Sequence, residues 1–328
     1  MRSDRRAVVT LVCAIAGGLS GCGEGLAPDP FDPGATAPRP ATGAVLPEGV
    51  TLYDRVAGLV AAATIGNDGT VTTLALYSQG FDFGWDTVEG VGGPDSTLFY
   101  GRAVGSLLVE RNLTNGSYEQ RRRYDAGAFG TWTHIVRVDG ASLTLCYDAD
   151  SGGTQWGSFD EAGAFHRNGT ASIGTGWTSV TGLAGSIEVL FYRKGDGAYA
   201  LVRVGTNTIA TELTGSLAPG WTHVVTFSDG GAPGLLFYNA VDGSEVSGLF
   251  QDGAWVDKTV HGPFKTGWTH ILRTGAGELF FYDSAEGSGA TELVSFTRMI
   301  DQSYFEPGTF HAGWTGIAND LALVSMIN

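Results

Sequence analysis

The sequence predicts an all-β domain, and two observations carry that prediction before any single motif is considered. The first is composition. Of 328 residues, 51 are glycine, about 16% against a usual figure of roughly 7%, and aromatic residues make up 11%; the pairing suits many short strands joined by tight turns. The second is periodicity. The tryptophans Trp85, Trp132, Trp177, Trp221, Trp268 and Trp314 are separated by 47, 45, 44, 47 and 46 residues. A tyrosine column keeps the same period through Tyr53, Tyr100, Tyr147, Tyr192, Tyr238 and Tyr282, each 29 to 32 residues ahead of a tryptophan. Two columns with one period mark a repeat architecture.

Taken in order, the chain begins with segments that do not belong to this repeat. Residues 1–21 read as an export signal, because Arg2, Arg5 and Arg6 give a positive start and Ala7 to Leu19 is an apolar run too short to span a bilayer as a mature helix. The run ends in Leu19-Ser20-Gly21-Cys22, which resembles the lipobox of bacterial lipoproteins, with Gly23 rather than an aspartate after the cysteine. That resemblance implies cleavage before Cys22, lipid on Cys22, and anchorage in a bacterial cell envelope, facing the periplasm or the cell surface, at the outer membrane in a Gram-negative host. Residues 22–49 hold this cysteine and a linker containing Pro28, Pro30, Pro33, Pro38, Pro40 and Pro47, with almost no large apolar residues. Such a segment cannot bury enough surface to fold and is expected to be an extended spacer.

Charge and cysteine usage narrow the function classes. Removing residues 1–21 takes Arg2, Arg5, Arg6 and Asp4 away and leaves 16 basic against 33 acidic residues, a net of −17. A nucleic-acid partner is therefore not expected. With Cys13 in the signal and Cys22 lipidated, only Cys146 remains, so no disulfide framework can form and core packing must supply the stability.

Residues 50–328 form the repeat domain. Within one unit, Trp132-Thr133-His134-Ile135-Val136 reads as a strand, Val138-Asp139-Gly140 as a turn, and Leu143-Thr144-Leu145-Cys146-Tyr147 as its hairpin partner. Weaker strands follow around Gln155–Phe159 and 164–173. In Gly267-Trp268-Thr269-His270-Ile271-Leu272, residues 268, 270 and 272 share one face and 269 and 271 the other, so neither face is purely solvent-facing. A strand packed between two neighbouring units needs that pattern. The stretch Leu59 to Ile65 aligns without gaps on Ser106–Asn112 when Gly58 is set on Gly105, and is assigned as a strand on that basis.

Four short strands in about 46 residues is the size of one propeller blade. The sixth tryptophan segment has no complete unit after it, and the domain opens with a tyrosine segment that has no tryptophan segment before it. The two ends complement each other, so a closed ring of six units is expected, most simply a six-bladed β-propeller sealed by the C-terminal strand. Leu321-Ala322-Leu323-Val324 reads as an extra strand with no place in that scheme. The units resemble the Trp-Thr-His-Ile-Val and Leu-Phe-Tyr-Asp repeats of many secreted bacterial proteins and, more loosely, the blades of tachylectin-type propeller lectins. The resemblance covers residues 50–328 through the Trp and Tyr columns only, and implies a closed β ring and sugar binding. A shallow β-barrel with radiating hairpins, the β-flower of some bacterial lipoproteins, is the rival arrangement.

Candidate functional residues follow from the repeat. An indole face stacks on the apolar face of a sugar, so Trp85, Trp132, Trp177, Trp221, Trp268 and Trp314 are candidate ligand contacts, with packing between units as the structural alternative. His134, His223 and His270 stand two residues after tryptophan, replaced by Thr87, Ser179 and Gly316 elsewhere. A hydrogen bond to a neighbouring unit or to a ligand hydroxyl suits them better than a metal site, which repeat symmetry would disperse. Asp139-Gly140, Asp252-Gly253 and Asn67-Asp68-Gly69 read as turns rather than calcium loops. Asn112-Leu113-Thr114 and Asn168-Gly169-Thr170 match a glycosylation pattern but read as accidental under a bacterial lipobox.

No nucleophile elbow, zincin motif or phosphate loop occurs. The acids Asp82, Asp86, Glu89 and Asp95 share one loop region, and a hydrolase would require non-repeating acids and a histidine to converge at one mouth of the ring. Arg121-Arg122-Arg123 reads as a solvated outer strand. The expectation is a non-enzymatic, lipid-anchored monomer with a binding role, lectin-like toward glycans, or a scaffold for an envelope protein, with a propeller hydrolase as the second alternative. No cofactor or metal is expected.

Overall fold

The computed structural model describes residues 49–65, 71–77, 84–91, 96–113, 117–261, 264–274, 278–297 and 299–319. The export signal, Cys22 and nearly all of the linker lie outside these residues, as does Leu321–Val324.

Six four-stranded antiparallel sheets account for the described chain. Blade 1 holds β1 (Val50–Asp54), β2 (Leu59–Ile65) and β3 (Val71–Tyr77), with β24 (Gly316–Asn319) as its first strand. Blade 2 holds β4 (Thr87–Gly90), β5 (Ser96–Gly101), β6 (Ser106–Asn112) and β7 (Tyr118–Tyr124). Blade 3 holds β8 (His134–Val138), β9 (Leu143–Tyr147), β10 (Gly153–Phe159) and β11 (Phe165–Ser172). Blade 4 follows with β12 (Ser179–Gly182), β13 (Glu188–Tyr192), β14 (Ala198–Val204) and β15 (Ile209–Ser216). Blade 5 has β16 (His223–Asp229), β17 (Ala232–Tyr238), β18 (Glu245–Gln251) and β19 (Ala254–His261). Blade 6 has β20 (His270–Thr274), β21 (Glu278–Asp283), β22 (Ser288–Val294) and β23 (Met299–Phe305).

The first strands of the blades touch one another in the order β24, β4, β8, β12, β16, β20 and back to β24, so they line the axis of a closed ring. Closure is made as the sequence predicts: β24, from the C-terminal end, pairs antiparallel with β1 from Val50↔Asn319 to Tyr53↔Gly316. The Thr315 N–H donates to the Tyr53 carbonyl at 2.8 Å, and the Arg55 N–H to Thr315 Oγ1 at 2.8 Å. Across the same seam His311 Nε2 stands 2.8 Å from Asp54 Oδ2.

Burial explains why the strands take these places. The second strand of each blade, β1, β5, β9, β13, β17 and β21, is buried along nearly its whole length on both faces, because a blade sits between two others. The outermost strands of blades 1, 3 and 4 alternate between exposed and half-buried positions, as a one-sided sheet edge should. All six blades carry a register shift between the third and fourth strands, from Ala62/Ala63 in blade 1 to Thr291/Glu292 in blade 6. Each is a bulge that adds twist to the outer edge of its blade.

One feature differs from the sequence reading. The first strands begin two residues after each tryptophan, not at it. The tryptophan backbone is drawn away from its own sheet, since in all six units its N–H is directed at the tyrosine hydroxyl of the preceding unit.

A third column also emerges, five residues after each tyrosine: Gly58, Gly105, Gly152, Gly197, Gly243 and Gly287, with φ between +63° and +75°. Each N–H bonds back four residues, as in Gly152 N–H to the Asp148 carbonyl at 2.8 Å. A Cβ on Gly197 would lie 2.0 Å from the Leu217 carbonyl oxygen. Only glycine fits both the left-handed turn and the close approach of the next loop.

Candidate functional site

The six tryptophans lie in six different apolar clusters, one at each blade junction. Trp85, Trp268 and Trp314 are 4%, 2% and 4% exposed, while Trp132, Trp177 and Trp221 are half-buried. The structure does not bring them together.

The tyrosines explain their spacing. Tyr100 Oη donates to the Gly130 carbonyl at 2.9 Å and accepts from the Trp132 N–H at 2.6 Å. Tyr147 does the same with Gly174 and Trp177, and Tyr282 with His311 and Trp314. Each tyrosine thus fastens its own blade to the loop that enters the next. Burial pushes the Tyr282 hydroxyl up to about 12, so it stays protonated and keeps both bonds.

The histidines make a second set of fastenings. The Nε2 atoms of His134, His223 and His270 lie 3.2, 3.1 and 3.2 Å from the carbonyls of Thr178, Thr269 and Thr315, all in the next blade. Burial holds all three below the usual 6.5, so they are neutral at pH 7. Nε2–H then donates to the carbonyl, and Nδ1 faces the preceding threonine Oγ1 at 2.9 Å in each case.

Convergence of chemically varied groups occurs instead on the ring axis. The residues five positions after the tryptophans are Gly90, Arg137, Gly182, Thr226, Arg273 and Asn319. Arg137 and Arg273 belong to blades 3 and 6, which are opposite one another in the ring. Gly182 beside Arg137 leaves no space of its own: a Cβ there would lie 2.1 Å from the Arg137 carbonyl oxygen.

At the end of β8 the chain makes a 3-10 turn, Asp139–Ala141, closed by Ser142 at φ 51°. The turn aims Asp139 back along the channel, where its Oδ1 lies 2.9 Å from Arg137 Nε and its Oδ2 lies 2.6 Å from Arg273 Nη2. The Gly185 N–H donates to the same Oδ2 at 3.3 Å. The three side chains are 12% (Arg137), 17% (Asp139) and 13% (Arg273) exposed. One carboxylate therefore lies between two guanidiniums from opposite walls, joined to Arg273 by a charge-assisted hydrogen bond and to Arg137 by ion-pair contact.

Beside this bridge lies a cavity of about 230 Å³, lined by Glu89, Arg137, Asp139, Thr181, Thr226 and Arg273 together with an apolar collar that includes Val180, Val224, Ile271 and Ile317. Thr181 Oγ1 donates to the Val224 carbonyl at 2.9 Å, and Thr226 Oγ1 accepts from the Ala184 N–H at 2.8 Å, fixing the inner strands around it.

Of the four acids grouped in the sequence, Glu89 reaches this cavity. Asp86 does not; it pairs with Arg55 at 2.9 Å and accepts the Arg102 N–H. Asp82 and Asp95 lie outside the described residues. Asp139 stands in a turn, as read from the sequence, and that turn also brings it to the channel cavity. Arg137 and Arg273 were not singled out at all. Their signal was present as charge in a strand position that alternation places on the axis, flanked by glycine and threonine in neighbouring units.

Away from the axis, the basic run on β7 is tied down: Arg121 pairs with Glu119 at 3.4 Å, Arg122 lies over the Tyr124 ring and Arg123 over Trp85. Lys265 pairs with Asp283 and Glu286 above the Trp268 ring. No group of three or more potential metal ligands occurs among the described residues.

No protein-family model matches the chain, and no curated protein matches its sequence. Solved structures match it in three dimensions. A Bacteroides fragilis protein provisionally named a 6-phosphogluconolactonase aligns with a TM-score of 0.52 at 9% identity, over 80% of this chain and 82% of its own. A Bacteroides uniformis protein of the same provisional name gives 0.53 at 10% identity, over 80% and 83%. A chain of the nidogen/laminin complex gives 0.54 at 10% identity, over 84% and 99%. At such identities the likeness is one of fold.

The expectation of a non-enzymatic, lectin-like module is corrected at this point. Two of the proteins that share the architecture carry the name of a hydrolase. The channel also holds a convergence of non-repeating acids, although arginines stand where a histidine was expected. The chain is a six-bladed β-propeller with a charged cluster on its axis.

Proposed function

We propose that the protein is a propeller hydrolase that opens small lactones or related cyclic esters in its central channel. The observation that supports this reading is the meeting of Glu89, Arg137, Asp139 and Arg273, residue types that the repeat does not keep in every unit, at one cavity on the ring axis. The names borne by two proteins of the same fold point to the same reaction class.

Each group has a role in such a reaction. Glu89 takes a proton from the attacking water as the water oxygen bonds to the lactone carbonyl carbon. The guanidiniums of Arg137 and Arg273 face the oxyanion that forms, and Asp139 holds both in place. When the ring C–O bond breaks, the leaving oxygen recovers the proton from Glu89, and the product is an open-chain hydroxy acid. The apolar collar keeps bulk water from weakening these interactions. The lipobox resemblance at Leu19-Ser20-Gly21-Cys22 and the proline-rich linker support a location for this activity at a bacterial envelope.

The test is a panel of five- and six-membered sugar lactones followed by pH-stat titration, with Glu89→Gln and Arg273→Gln compared with the parent. Hydrolysis that falls at least 100-fold in both variants, with the fold intact by circular dichroism, supports the reading. Lactone hydrolysis indistinguishable from buffer, or unaffected by both substitutions, refutes it.

A further inference from the structure

The channel bridge has a form that hydrolysis alone does not require. Two half-buried arginines from opposite blades flank Asp139: Arg273 Nη2 hydrogen-bonds its Oδ2 at 2.6 Å, and Arg137 Nε stands in ion-pair contact with its Oδ1 at 2.9 Å. That is how a pair of guanidiniums holds a bound carboxylate. The holder is an internal side chain on a three-residue turn, and the same two arginines line the adjoining cavity. Gly182 next to Arg137 and Thr226 next to Arg273 keep the arginine level of the channel narrow in side-chain bulk.

We infer that Arg137 and Arg273 form a carboxylate-binding site on the channel axis, and that Asp139 is its built-in occupant, standing where the carboxylate of a hydroxy-acid ligand sits. The inference rests on the proposed lactone hydrolysis for one point, the source of that ligand. Opening a lactone turns a neutral carbonyl into a carboxylate beside these arginines, so the product is the ligand. Asp139 then competes with it, and its return to the arginines drives product release. Because the internal carboxylate is tethered, its effective concentration is in the millimolar range or higher. Free carboxylates must exceed that concentration to displace it.

The site is read out without catalysis. Isothermal titration and thermal shift with gluconate and with acetate are run on the parent protein, on Asp139→Asn and Asp139→Ala, and on the double variant Asp139→Ala/Arg273→Gln. The parent is expected to respond weakly, and both single variants to bind gluconate roughly tenfold or more tightly. In Asp139→Ala, acetate should restore part of the lost thermal stability where equal chloride does not, and the double variant should lose that response. Asp139→Asn preserves the side-chain volume and keeps the test open where the alanine variant folds poorly.

Folded Asp139→Asn that gains no affinity for either carboxylate overturns the inference. So does a double variant that still responds to acetate. Failure of the hydrolase reading looks different: carboxylate binding appears in the Asp139 variants while no lactone is opened. If lactones are opened, Asp139→Asn should show product inhibition by gluconate at a concentration at least tenfold lower than the parent, and unchanged inhibition counts against the product as ligand.

Discussion

Replacing Tyr282 with phenylalanine removes one oxygen atom from the seam where the ring closes. The residue is fully buried, and the hydroxyl bridges the His311 carbonyl at 2.7 Å and the Trp314 N–H at 3.2 Å. Phenylalanine fills almost the same volume, so no cavity term is added. What remains is the loss of two hydrogen bonds and a backbone N–H left buried without its partner. Each bond contributes about 0.5–1.5 kcal/mol net, and stranding a buried donor adds to that, which puts the loss at about 2–3 kcal/mol. For a domain of this size that is a fall in Tm of roughly 4–8 °C. Tyr147→Phe removes the equivalent bridge inside the ring, to Gly174 and Trp177, and should cost a similar amount. Urea unfolding followed by circular dichroism measures both. If Tyr282→Phe costs less than about 0.5 kcal/mol, the tyrosine column does not fasten blades to one another as described, and the explanation of the 29- to 32-residue spacing falls with it.

Other expectations follow from single sites. Gly182→Ala places a Cβ 2.1 Å from the Arg137 carbonyl oxygen and should destabilise by about 1–3 kcal/mol through overpacking; Gly195→Ala, with open space around it, should stay within about 0.5 kcal/mol, and equal midpoints for the two would refute the close approach. Because burial lowers His134, His223 and His270 from 6.5, the unfolded chain binds more protons than the native one below that value. Their contribution to stability is complete above about pH 6.5 and declines as the pH falls through the window toward their native values. The triple variant to glutamine should show a flatter midpoint between pH 7 and 5, and an unchanged slope would be evidence against buried neutral histidines. Burial pushes the Cys146 thiol up to about 12, so peptide-level mass spectrometry after iodoacetamide should find it unmodified in native protein and labelled in urea; labelling in the native state would contradict its enclosure.

Much of the architecture was legible because repetition amplifies a weak signal. No single segment here proves a strand, yet Leu59–Ile65, helical in isolation, is a strand in the structure, as its alignment on Ser106–Asn112 required. Closure was legible for the same reason, since an orphan first strand at the C-terminal end and a unit lacking its first strand at the other leave few alternatives to β24 pairing with β1. The glycine column at Gly58 through Gly287 was visible but passed over, because its meaning depends on a loop from elsewhere approaching within van der Waals contact. The candidate site was hardly legible. Arg137 and Arg273 are 136 positions apart, and Asp139 looked like an ordinary hairpin residue beside Gly140.

The sequence by itself determined the number of blades, the strand order within each and the way the ring is sealed, because these depend on a period and on local β-pattern, both of which are properties of one dimension. The tertiary structure alone decided which side chains face the axis and meet there. That follows from the geometry of a ring: equivalent residues in opposite blades are remote along the chain but separated only by the width of the channel. A carboxylate two residues beyond one arginine can therefore reach the other only once all six blades are closed.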